Sequence, residues 1–267
     1  MLQRIVAAIV GLAIVVPPIV WGGLVGANII AGLVLLIALD EYSRMAVPQD
    51  HWFALALLTF AGGAVYAAQL FLPAGATTWV LALAGLLVMI TSMIRVPDTN
   101  LGQQVSVRLL AGLIYVPVLF SYVIQVRSLE HGLAWLFLTL SVTWAGDTGA
   151  YFAGRAFGKH KLFERVSPKK TWEGFFGGLL FAIAFACVFK YFWLTDLTWV
   201  QAAILGAVLD IVGVLGDLVE SMFKRAYGVK DSGWIMPGHG GILDRIDSLL
   251  FTGPVAWVLA TQLFGVG

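Results

Sequence analysis

Six carboxylates in the second half of the chain sit within or against apolar runs: Asp147, Asp210, Asp217, Glu220, Asp244 and Asp247. A carboxylate at the centre of a bilayer costs roughly 2.5–3.5 kcal/mol on insertion scales, so several in one chain demand partners, a metal or water. Residues at i, i+3, i+4 and i+7 of a helix share a face. That rule puts Asp210, Gly213, Val214, Asp217, Glu220, Ser221 and Lys224 on one stripe, and Asp244, Asp247 and Ser248 repeat the spacing on the next helix. Two helices that each offer carboxylates can hold a divalent cation between them. An all-oxygen set suits a hard cation such as Mg²⁺, which keeps positions open for phosphate oxygens. Scattered histidines and a lone Cys187 argue against structural zinc and rule out an internal disulfide.

Cations and glycines accompany these acids. Lys224, Arg225 and Lys230 precede Asp231, and Pro237-Gly238-His239-Gly240-Gly241 follows. The cations suit phosphate oxygens, and glycines let backbone N–H groups approach an anion ahead of a helix. The plainer alternative is a cytoplasmic turn with membrane-surface lysines. An earlier segment runs Asp147-Thr148-Gly149-Ala150-Tyr151-Phe152, then on to Ser167-Pro168-Lys169-Lys170-Thr171-Trp172-Glu173-Gly174. Ser167 before Pro168 predicts a helix cap, with the helix starting near Lys169. Lys169, Lys170 and Thr171 then fall at a helix N-terminus, a second anion site, although Lys169-Lys170 also satisfies a positive-inside stop. Gly174, Gly177 and Gly178 read as helix packing.

The elements that position these residues are membrane helices. The chain is 60% hydrophobic and 12% charged, with a mean hydropathy of +0.91. A soluble domain carries about a quarter charged residues, so this chain could not cover a water-facing surface. The expected fold is all-α and polytopic, with about nine transmembrane helices of roughly 20 residues each. They are placed at 4–21, 24–40, 51–72, 76–94, 106–126, 131–150, 173–194, 198–223 and 247–265. Pro17-Pro18 is expected to kink the first or end it early. No strict alternation suggests a transmembrane barrel. The first helix reads as retained, without a cleavage site and polar mature chain behind it. Two longer polar loops are expected, 151–172 and 224–246. The chain reads as one transmembrane domain, 1–267, with scaffold helices in 1–140 and a catalytic region in 141–250. With the N-terminus in the cytoplasm, fourteen Lys and Arg fall inside, against Arg127 and Lys190 outside. Both polar loops then face the cytoplasm.

At this point the residues resemble a known family. Ser221-Met-Phe-Lys224-Arg225, Lys230-Asp231 and His239-Gly240-Gly241-Ile-Leu-Asp244-Arg245-Ile-Asp247 are similar to the signature of phosphatidate cytidylyltransferases in order and spacing. Asp147–Phe152 and Ser167–Gly174 resemble that family's other shared stretches. Met236 stands where Leu, Ile or Phe is expected. The resemblance covers about 140–250. It implies a Mg²⁺-dependent reaction of CTP with phosphatidic acid, giving CDP-diacylglycerol and pyrophosphate. It also implies a homodimer of multi-helix subunits and, in some members, a monovalent cation such as K⁺ beside the Mg²⁺; the absence of a transit peptide favours a bacterial inner membrane. Nucleic acid is not an expected partner. By the motif, Asp217 and Asp244 carry over as metal ligands. Asp247 and Ser221 are expected to hold the metal or orient a cation. Lys224, Arg225 and Lys230 are expected to bind the triphosphate or the lipid phosphate. Asp231, His239 and Arg245 complete the motif, with His239 shaping the loop or contacting phosphate. Asp147, Lys169, Lys170, Thr171, Gly240 and Gly241 are expected to line the same binding cavity, with the substrate that each serves left open. A cation-coupled transporter and a different CTP-using membrane transferase are the rival readings.

Overall fold

The structure is a computed structural model and describes residues 2–236 and 240–265. Helices dominate because long apolar segments can satisfy their backbone polar groups only internally when they lie in lipid. In order they are α1 (Leu2–Trp21), α2 (Gly23–Ala46), α3 (His51–Phe71), α4 (Ala74–Arg95), α5 (Thr99–Leu113) and α6 (Leu119–Arg127). Then follow α7 (Gly132–Phe157), α8 (Trp172–Phe192), α9 (Trp199–Ala226) and α10 (Leu243–Val258). A π-helical turn, Ile114–Val118, joins α5 to α6 around Pro117, which has no N–H to give to an α-helical ladder. A second π-helical stretch, Leu259–Phe264, extends α10.

Among the described residues seven helical stretches are long and apolar enough to cross a membrane: α2, α3 with its leading turn, α4, α5–α6, α8, α9 and α10 with its extension. α1 and α7 lie where the other two spans are expected, 4–21 and 131–150, but are not among these seven. The protein is an all-α, multi-pass membrane protein. Large apolar side chains such as Phe60, Trp79, Ile94 and Leu180 point outward, as lipid rather than water requires.

The boundaries correct several expectations. The helix of 24–40 runs on to Ala46, that of 131–150 to Phe157 and that of 198–223 to Ala226. α1 continues past Pro17-Pro18 to Trp21. The loop expected over 151–172 is helical to Phe157 and then forms an antiparallel hairpin, β1 (Lys161–Phe163) with β2 (Ser167–Thr171). No helix begins near Lys169, and Ser167 is not its cap. Thr171 caps α8 instead, its Oγ1 accepting from the Gly174 N–H at 3.1 Å. Pairing with β1 holds Lys169 and Lys170 extended, which postpones the helix. Thr171→Ala is expected to cost about 1 kcal/mol, as lost caps do. An unchanged thermal midpoint in detergent would dismiss this role.

The chain divides into two compact units. One holds residues 1–124 and 227–245, the other 125–226 and 246–267. In the second, α7 and α8 meet along a seam of small residues. A Cβ on Gly149 would lie 2.7 Å from the Gly177 carbonyl oxygen, and one on Gly178 would lie 2.8 Å from that of Gly146. Only near-naked backbones approach this closely.

Candidate functional site

In the unit of residues 125–226 and 246–267, acidic side chains from α7, α9 and α10 gather. Asp217 forms an ion pair with Lys170 of β2 at 2.6 Å. Ser221, one turn on, donates its hydroxyl to Asp217 Oδ1 at 3.2 Å. The hairpin therefore presents a cation to the acidic stripe that helical spacing predicts on α9. Glu220, on the same stripe, is 1% exposed and pairs with Lys224. The charged groups acting on Asp247 are Asp217, Lys224 and Asp147. Those acting on Asp210 are Asp147 and Lys170. Asp210 is 4% exposed, and its Oδ2 has no hydrogen-bond partner among the described residues. Gly146 makes room for it, since a Cβ there would run into Asp210 Oδ1. Asp210 and Glu220 lie beyond the signature, and burial rather than motif marks them.

Five carboxylates (Asp147, Asp210, Asp217, Glu220 and Asp247) thus share this region with the ammonium groups of Lys170 and Lys224. Such an excess of negative charge in a low-dielectric setting favours a cation. The donors are all oxygen, which fits Mg²⁺ rather than a softer metal. No three His, Cys, Asp or Glu side chains among the described residues converge into a ready-made chelate. Mg²⁺ does not need one: it is commonly held by one or two carboxylates plus water and substrate phosphates.

The unit of residues 1–124 and 227–245 holds most of the signature loop. Asp244 is 9% exposed, and its Oδ2 accepts from the Ser232 N–H at 2.9 Å, the Ser232 hydroxyl at 2.8 Å and the Gly241 N–H at 2.7 Å. The anion that the glycine-rich stretch receives in this structure is therefore the chain's own Asp244. Gly240 adopts φ +81°, and a Cβ on it would strike Asp244 Oδ2, so glycine is required twice over. Lys230, Asp231 and Arg245 are exposed, as is Arg225 in the other unit. His239, predicted within this stretch, lies outside the described residues. Tyr227 meets Tyr42 of α2, hydroxyl to hydroxyl at 3.1 Å, and Arg108 of α5 lies over the Tyr227 ring at 5.4 Å.

Sequence reasoning missed Glu41. It is 3% exposed on α2 and accepts from the Ile242 N–H at 3.0 Å, the Leu243 N–H at 2.8 Å and the Ser232 hydroxyl at 3.1 Å. α2, in the stretch read as scaffold, therefore also holds the loop. The available signal was the polar run Asp40-Glu41-Tyr42-Ser43-Arg44 closing an apolar span.

The fold is that of a multi-pass membrane protein, one unit of which gathers acidic side chains around two ammonium groups. The chain belongs to the Cytidylyltransferase family, whose profile matches residues 2–263. It is similar to the phosphatidate cytidylyltransferase of Bacillus subtilis strain 168, with 42% identity over 180 residues, 67% of this chain and 66% of that protein. It is 38% identical over 266 residues to the phosphatidate cytidylyltransferase of Staphylococcus epidermidis strain RP62A, covering 97% of this chain and 98% of that one. The Staphylococcus aureus strain COL protein of the same name is 37% identical over 266 residues, with the same coverage.

Proposed function

We propose that this chain is a phosphatidate cytidylyltransferase, transferring CMP from CTP to phosphatidic acid to give CDP-diacylglycerol and pyrophosphate. The observation that carries this reading is the acidic cluster around Asp217, buttressed by Lys170 and Ser221, in a chain of the Cytidylyltransferase family. Relatives of that name match almost end to end.

A phosphate oxygen of phosphatidic acid attacks the α-phosphorus of CTP. A new P–O bond forms, the bond to the bridging oxygen breaks, and pyrophosphate leaves with that electron pair. The monoester's second ionisation lies near pH 6, so near neutral pH the attacking oxygen needs no general base. Two polyanions must meet, and the work of the protein is neutralisation and positioning. Asp217 and Asp247 would hold Mg²⁺, and the ion would supply Lewis-acid neutralisation of phosphate oxygens. A monovalent cation such as K⁺ beside it would offset carboxylates that one divalent ion leaves unbalanced. Ser221 fixes the rotamer of Asp217. Lys170 holds the same carboxylate from the hairpin side and is placed to turn toward phosphate. Arg225, Lys230 and Arg245, being exposed, attract both substrates. The lipid keeps its acyl chains among the outward apolar side chains while its phosphate meets the charged residues.

We place the protein in a bacterial inner membrane, its relatives being bacterial, and orient these residues toward the cytoplasm on the asymmetry of fourteen Lys and Arg against two. A homodimer follows from the family resemblance. Incubating the purified protein with labelled CTP, Mg²⁺ and phosphatidic acid tests the activity. The expected product is a labelled CDP-lipid, released pyrophosphate matching it mole for mole and both lost with EDTA. Label appearing only with a lipid alcohol, or not at all, would overturn the reading.

A further inference from the structure

We propose that Glu41 of α2 is a positioning residue that clamps the signature loop and the start of α10 in the conformation that binds nucleotide. This rests on the reading of that loop as substrate-binding.

The first N–H groups of a helix have no partner within it, and a side chain close in sequence normally serves them. In α10 that service comes from another helix. Glu41 Oε1 accepts from the Ile242 N–H, and Oε2 accepts from the Leu243 N–H. A carboxylate at a helix N-terminus also gains from the helix dipole. The third contact, from the Ser232 hydroxyl, ties the other end of the loop to the same group. Ser232 lies between two carboxylates, since its hydroxyl also reaches Asp244 Oδ2. Its one proton serves one of them at a time, so Glu41 shares a donor with a residue of the signature itself. The glycines follow from this arrangement. A Cβ on Gly233 or on Gly241 would land on the Glu41 carboxylate. Loop backbone is packed against this buried acid.

Glu41→Gln keeps the shape but turns one acceptor oxygen into an NH₂ group facing a donor. Two measurements on the full-length protein in detergent test the clamp. Hydrogen exchange without substrate, read on peptides spanning Ile242 and Leu243, is expected to quicken about tenfold as the clamp opens locally. KM for CTP is expected to rise about tenfold with kcat within about threefold, because a loop competent a tenth of the time weakens apparent affinity by that fraction. Loss of folded enzyme would instead lower kcat and leave KM alone. Gly233→Ala is expected to reproduce both effects. Ser232→Ala, which spares the two backbone contacts, is expected to give about a threefold change in each. Unchanged exchange and unchanged KM in Glu41→Gln overturn the proposal. If that variant does not fold, Ser232→Ala decides on the same readouts. A wild-type protein that makes no CDP-lipid sinks the proposed reaction, yet exchange still decides the clamp.

Discussion

Asp217→Asn is expected to fold normally and to lose about 10²–10³ in turnover, the scale of removing one preorganised electrostatic group. Asparagine is isosteric and can still accept from the Ser221 hydroxyl, so the geometry of α9 survives. What disappears is the negative charge that faces Lys170 at 2.6 Å and acts on Asp247. Without it, a divalent cation loses a ligand, and Lys170 loses the group that holds it from the hairpin side. Pyrophosphate release under saturating CTP and Mg²⁺ measures the effect. Ser221→Ala should cost far less, because the hydroxyl only orients. An Asp217→Asn protein within a few-fold of wild-type turnover would move the metal site away from α9.

The second large effect concerns stability. Lys224 was expected at substrate phosphate, and in the structure its ammonium pairs with Glu220, which is 1% exposed. It also acts on Asp247. Removing one partner of a buried pair leaves an uncompensated charge and costs about 3–5 kcal/mol. Lys224→Met is therefore expected to lower the unfolding midpoint sharply. Adding Glu220→Gln should restore much of the loss, since the stranded charge goes with it. Thermal unfolding of the three variants in one detergent reads this cycle. Equal midpoints for wild type and Lys224→Met would show that the pair contributes nothing to stability.

Much of this architecture was legible beforehand, and the unequal legibility has physical causes. Membrane spans announce themselves because about 20 apolar residues have one use. Their ends do not, since Asp40, Tyr151 or Lys224 can continue a helix into the headgroup region as readily as stop it. The α9 stripe was readable because helical spacing is local: Asp217, Ser221 and Lys224 fall on one face in any helix. Its partner Lys170 was named without a partner, because the hairpin that carries it is set by pairing and not by propensity. Ser-Pro-Lys-Lys is a poor strand former, and Lys161 opposite Thr171 is a tertiary fact. Glu41 was missed for the same reason. Beside Asp40 and Arg44, which bridge each other at 2.8 Å, it looks like one more residue of a polar helix end.

The separation of Glu41 from its donors has a consequence for biogenesis. They lie 191, 201 and 202 positions further along the chain. During synthesis α2 enters the bilayer with this acid long before residues 232–243 leave the ribosome. Contacts of such span are the slowest to form, as loop closure must precede them. Until then the Glu41 carboxylate of the nascent protein lacks all three of these donors. A chain that ends before residue 232 keeps α2 with an acidic side chain that none of its three partners has arrived to meet.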